Sequence, residues 1–182
     1  VNPQTMNNNV LRIIGRNHTA EDTVRAFLSA REEGFDNINM DLIAGLPSDT
    51  AESYHQTLDR IIDLNPESIT VHTLTIKRSA KIYEDDIEKY LTAPASEMVN
   101  ESIRILPENG YLPYYLYRQK NTVENLENIG FAKKGRESLY NIFIMDETQT
   151  ILGAGCAAST KIVQPNGKIT SCLLYTSDAA DD

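Results

Sequence analysis

Cysteine is nearly absent from this chain: its 182 residues hold two, Cys156 and Cys172, in no recognisable motif. That excludes a disulfide framework as the basis of the fold. Long apolar runs are missing as well, so neither a membrane span nor a signal peptide is expected. Basic residues are in deficit, 17 Lys and Arg against 26 Asp and Glu, for a net charge of −9. A phosphate backbone is therefore not the expected partner, since nucleic-acid binding relies on clustered cations. The three histidines stand far apart, at 18, 55 and 72. What is present is a hydrophobic share of 41% and a charged share of 24%, the composition of a cytoplasmic globular domain with a real core.

Alternation dominates the first half. In Asn37-Ile38-Asn39-Met40-Asp41-Leu42-Ile43-Ala44-Gly45-Leu46-Pro47, apolar Ile38, Met40 and Leu42 alternate with Asn37, Asn39 and Asp41. This period-two pattern predicts a strand from about Asp36 to Ala44, stopped by Gly45-Leu46-Pro47. Asp41 is in phase with the two asparagines and faces away from the apolar side. A carboxylate there is either a satisfied interior polar group or a ligand for something polar, and the strand alone does not decide. A helix opening at Thr19, with Asp22 completing a capping box, precedes this strand; a second helix from Thr50 to Asn65-Pro66 follows it. Ser68 to Ile76, rich in β-branched residues, predicts another strand. Helix, strand, helix, strand with short links reads as a parallel sheet or part of a β/α barrel.

The character changes after Lys77. Residues 78–93 are charged and irregular. Ala95 to Leu106 predicts a helix ended by Pro107, and Tyr111 to Tyr117 an aromatic strand. Asn121 to Arg136 reads as polar and loop-like, Ser138 to Met145 as a strand. Thr150–Ala154 and Thr160–Val163 flank a small-residue turn at Gly153-Ala154-Gly155. The expected division is 1–78 as barrel, 79–171 as a smaller α+β extension, and 172–182 as a tail.

At the start, Val1-Asn2-Pro3-Gln4-Thr5 reads as a strand end delivering Gln4, followed by a short helix carrying Arg16. Gln offers donors and acceptors, and Arg a planar five-donor fork for carboxylates or ribose oxygens. Taken singly, each reads first as a surface residue.

Taken together, these pieces resemble a known family. Gln4, then Arg16-Asn17-His18, then Ile38 to Pro47, Asn65-Pro66, and Thr70-Val71-His72-Thr73-Leu74 stand in order and interval. So do Tyr114-Tyr115-Leu116-Tyr117-Arg118-Gln119-Lys120-Asn121, Ser138-Leu139-Tyr140-Asn141 and Leu152-Gly153-Ala154-Gly155. The set is similar to the radical SAM oxygen-independent coproporphyrinogen III oxidases (coproporphyrinogen dehydrogenases), in particular their Firmicutes-type branch, over residues 1 to 163. The string from Cys172 to Asp182 resembles translated sequencing adaptor, so the expectation is a fragment truncated at both ends.

The resemblance implies an α/β fold, the C-terminal half of a partial (β/α)6 barrel with an α+β extension. It also implies S-adenosylmethionine and a 4Fe-4S cluster as cofactors, and a tetrapyrrole substrate. Carried over, Arg16 would hold the methionine carboxylate or ribose, Asp41 would accept from ribose hydroxyls or the ammonium, and Gln4 would bridge polar groups. Further backbone contacts fall at Thr75 and near Ser159. The implied reaction converts two propionates to vinyl groups by radical decarboxylation in porphyrin biosynthesis. The family's cluster ligands are three cysteines in a C-x3-C-x2-C loop, which this chain lacks, so it is expected to be inactive alone. No metal ligand, electron donor or oligomeric state is assigned. Two rival readings are a heme chaperone on the same barrel and, more remotely, an aldolase-like barrel with a Schiff base at Lys77. The aromatic string around Tyr117 and Arg118 would suit a propionate-bearing tetrapyrrole; it equally suits an ordinary strand.

Overall fold

The computed structural model describes residues 1–75, 94–117, 122–155 and 158–173. They form two compact units, the first ending at Glu137 and the second beginning at Ser138.

Local capping chemistry sets the helices of the first unit. Asn7 Oδ1 accepts from the Asn9 and Val10 amides to open α1 (Asn8–Ile13). Thr19 and Asp22 form a reciprocal capping box at α2 (Ala20–Glu32). Thr50 caps α3 (Ala51–Leu64) through the Ser53 amide, and α3 stops on Asn65 in the left-handed region, φ 59°. α4 (Ala95–Glu108) starts at Pro94 without a side-chain cap of its own. The distant Glu124 supplies one, its carboxylate accepting from the Ala95 and Ser96 amides at 2.8 and 3.2 Å, where an anion also meets the positive end of the helix dipole.

β1 (Asn39–Ala44) and β2 (Ser68–Thr73) pair in parallel, from Asn39 opposite Ser68 to Ala44 opposite Thr73. β3 (Leu112–Tyr117) and β4 (Asn128–Ala132) complete the sheet in the order β1-β2-β4-β3, with β4 antiparallel to both neighbours. On the free edge of β1 the first residues run parallel to it: the Gln4 amide donates to the Asp41 carbonyl, and the Ile43 amide to the Gln4 carbonyl, both at 2.9 Å. Helices cover one face. Phe27, Tyr54, Leu58, Ile61, Met98 and Leu106 close over Met40, Leu42, Ile69, Val71 and Phe131. Gly45, at φ +82°, lets the end of β1 meet the start of α4, since a Cβ there would stand 2.9 Å from that of Ala95.

The second unit contains α5 (Leu139–Asp146) and a hairpin of β5 (Ser159–Val163) with β6 (Ile169–Leu173). Among the described residues no helix is long and apolar enough to cross a membrane.

Several expectations are corrected. The stretch read as polar loop contains β4, a buried strand between β2 and β3; its neighbours, not its composition, supply the apolar surroundings. Ser138 to Met145 is not a strand but α5: Ser138 accepts from the Asn141 amide as an N-cap, and Ile142-Phe143-Ile144-Met145 lacks alternation. Pro107 does not end α4, which continues to Glu108, because its missing amide falls in the last turn and forfeits one bond there. β1 starts at Asn39 and β2 stops at Thr73, each shorter than its pattern. β6 includes the backbone of residues 172 and 173, the first two of the adaptor-like string. Residues 78–93, Lys77, the Arg118–Asn121 string and Cys156 lie outside the described residues.

Gly130 lies directly under the Tyr115 ring: an added Cβ would sit 1.9 Å from its Cε1. Gly130→Ala is expected to destabilise the protein by about 1–3 kcal/mol through overpacking. In a Tyr115→Ala background the same change should cost much less, a coupling that urea unfolding of the double-mutant cycle measures.

Candidate functional site

Because side chains alternate along a strand, the register that buries Met40 and Leu42 sends Asn39 and Asp41 to the opposite face, beside Ser68, Thr70 and His72 of β2. There the polar groups order one another. The Ser68 and Thr70 hydroxyls donate to Asn39 Oδ1 at 3.0 and 3.1 Å. With its carbonyl so occupied, the Asn39 amide group points at Asp41 and donates to Oδ1 at 2.7 Å. His72 Nε2 stands 3.7 Å from the same oxygen. The Asn2 amide, in the orientation that satisfies both its ends, donates to Asp41 Oδ2 at 3.0 Å. Tyr115 completes the far side over Gly130, its ring edge-on to Tyr114 at 4.9 Å.

These contacts decide the charge state. Burial by itself would raise the Asp41 pKa, but His72, Asn39 and Thr70 together outweigh it and the carboxyl ends below its ordinary value. Asp41 is thus an anion whose side chain remains 23% exposed, open to a further donor. Asp49, in the turn after β1, goes the other way: burial raises its pKa, opposed in part by contacts from Ser53 and the Thr50 amide. Burial also raises the Tyr115 phenol.

The sequence-derived candidates are not all gathered here. Gln4 is buried and hydrogen-bonded through its backbone to Asp41 itself. Its φ of 66° is left-handed, unusual for a side-chain-bearing residue. Arg16 lies just beyond α1 rather than on it; it is exposed, and its guanidinium makes no ion pair among the described residues. Thr75 sits past the end of β2 in an isolated bridge with Thr122. Ser159 opens β5 in the second unit, its backbone against Gly153. His18 contacts the Pro3 carbonyl at 3.3 Å and His55 pairs with Glu101 at 2.9 Å. His72, on β2, faces Asp41. Asn39, Thr70 and His72 were legible as a set only through their shared period-two phase.

Known proteins resemble this arrangement. Residues 1–61 match the model of the radical SAM superfamily. Over those residues the chain is similar to part of a radical SAM domain. It is 45% identical over 174 residues to the oxygen-independent coproporphyrinogen-III oxidase-like protein HemZ of Bacillus subtilis, covering 93% of this chain and 34% of that protein. It is 29% identical to the heme chaperone HemW of the same organism, covering 84% of this chain and 38% of that one. Its fold superposes on the solved coproporphyrinogen III oxidase of Escherichia coli with a TM-score of 0.60 at 24% identity, covering 87% of this chain and 37% of that one. The chain therefore spans about a third of the length of each of these relatives. The partial radical SAM fold and the coproporphyrinogen-oxidase-like kinship expected from the sequence are both found.

Radical SAM membership implies S-adenosylmethionine and a 4Fe-4S cluster in the parent proteins. The polar face fits the first: an anionic Asp41 with an accessible edge suits a ligand bearing hydroxyls and cationic groups, whose donors offset the cost of a part-buried carboxylate. The second does not fit this chain, because two cysteines cannot supply three thiolates.

The two aspartates predict opposite responses to acid. Asp41 contributes stability that is present above its unfolded pKa, about 3.9, and lost as pH falls through its lower folded value. Asp49 contributes stability that is present below its unfolded pKa and lost as pH rises through its raised folded value. Asp49→Asn should therefore raise the Tm at pH 7, with the gain vanishing in acid. Asp41→Asn should lower it at pH 7, with the loss shrinking as pH falls below the unfolded value. Thermal melts across that range check both signs.

Proposed function

We propose that this chain is the S-adenosylmethionine-holding part of an oxygen-independent coproporphyrinogen III oxidase-like protein of porphyrin biosynthesis, acting on a tetrapyrrole. The observation that supports it most is the Asp41 carboxylate, kept anionic and oriented by Asn39 on a polar sheet face, in a chain 45% identical to an oxidase-like relative.

Asp41 accepts from the ribose hydroxyls or the ammonium of the ligand. Arg16, with its fork unengaged among the described residues, takes the methionine carboxylate through charge-assisted bonds. Gln4 brings an amide to the edge of β1 where its backbone is pinned, and the left-handed backbone there is the kind of local strain found at ligand clamps. Thr75 is a further backbone contact. Tyr114 and Tyr115 offer aromatic surface to the tetrapyrrole. When bound with its cluster, S-adenosylmethionine supplies the radical chemistry; the residues described here bind and orient it. Lacking the cysteines, the chain is inactive by itself.

The relation to a heme chaperone carries the second reading, a radical SAM fold that binds heme without oxidising a porphyrinogen. The two separate by titration. The first reading expects calorimetric binding of S-adenosylmethionine by the purified chain, weakened roughly tenfold to a hundredfold by Asp41→Asn, as for loss of a hydrogen bond to a charged group. It also expects no 5′-deoxyadenosine after reconstitution with iron and sulfide. Saturable heme binding with no response to S-adenosylmethionine would favour the chaperone instead.

A further inference from the structure

We propose that His72 is a positioning residue that competes, when protonated, with a cationic ligand for the Asp41 carboxylate, and so makes ligand capture dependent on pH. This deepens the reading of Asp41 as an S-adenosylmethionine contact and rests on it.

The argument is geometric. His72 and Asp41 lie on the same polar face of adjacent parallel strands, with Nε2 3.7 Å from Oδ1. That separation is too long for a hydrogen bond but close enough for charge to act on charge. The other groups holding Asp41 are neutral: Asn39 on Oδ1, Asn2 on Oδ2, and the Thr70 hydroxyl nearby. From β3 the ionisable residues are Tyr114, Tyr115 and Tyr117, all phenols. From β4 come Gly130 and Asn128, which do not ionise. The helices pack on the opposite face. One more charge stands at this edge, the Val1 ammonium, which donates to the Asn39 carbonyl oxygen at 2.9 Å. His72 is thus the titratable cation, among the described side chains, that faces Asp41. Its side chain is 38% exposed, so protons reach it without unfolding. Imidazole is the side chain whose ordinary titration falls in the physiological range. As an imidazolium it neutralises Asp41; as a neutral ring it leaves the carboxylate's charge for the ligand's own cationic groups.

The test uses the whole chain with its N-terminus acetylated, which removes the Val1 charge as a variable. Calorimetry with S-adenosylmethionine between about pH 5.5 and 7, where the ligand's own ammonium keeps its proton, is expected to show binding tightening roughly tenfold as pH rises, the effect of one unit of proton linkage. His72→Gln, which cannot titrate, should bind tightly and flatly across the range. His72→Lys, with a fixed charge, should bind weakly throughout. Identical pH profiles for the unaltered and His72→Gln chains would overturn this inference while leaving the S-adenosylmethionine reading intact. Absence of binding by every chain at every pH would overturn both.

Discussion

The in-register parallel pairing of β1 with β2 is the constraint on which the rest depends. With Asn39 opposite Ser68 and Ala44 opposite Thr73, one set of alternating side chains is committed to the helices and the other to a polar face. A slip of one residue would drive Asp41 into the apolar core and turn Met40 and Leu42 outward, exchanging some of the most deeply buried side chains for a carboxylate. The hydrophobic effect that fills the core thereby also aims the site. No separate device is needed to present Asp41; burial of its neighbours does so.

Around that pairing, the structure is tied together by contacts between residues far apart in sequence. Glu67 accepts from the Ile38 amide at 2.9 Å while paired with Arg31, joining the entry of β1 to α2 and to the turn before β2. Glu124, in the turn before β4, caps α4, and Gly45 admits the first turn of that helix to the end of β1. Met98 Sδ accepts from the Gly45 amide at the same junction. These contacts all join the helical layer to strand ends, leaving the middle of the polar face to the network centred on Asn39.

That network illustrates how a part-buried polar group is accommodated without a large cost. Each member satisfies the next: two hydroxyls hold one amide oxygen, the amide nitrogens hold one carboxylate, and the carboxylate retains an exposed edge. A partly satisfied network would be costlier than an apolar one. The remaining capacity of Asp41 is therefore directed outward, at its exposed edge. The likeness to proteins named as oxidases and as heme chaperones is consistent with such a face: a common scaffold that positions a cofactor can serve more than one end.

Much of this was legible in the sequence, for local reasons. The capping box at Thr19, the helix stop at Asn65-Pro66 and the alternation through Asn39 to Ala44 are written within a few residues of where they act. The phase of Asp41 followed from that alternation alone. Ser138 to Met145 and the segment containing β4 were misread because short apolar runs do not distinguish helix from strand, and because β4 owes its place to β2 and β3 on either side. The partners of Asp41 could not be read either, since Asn39, His72 and Asn2 converge only once β1 pairs with β2 and the first residues align along its edge. The sequence by itself determined which face each strand residue would take, through the fixed period of the extended chain. Tertiary structure alone decided which polar groups on that face would meet, because strand register and neighbour order are settled by packing between distant segments.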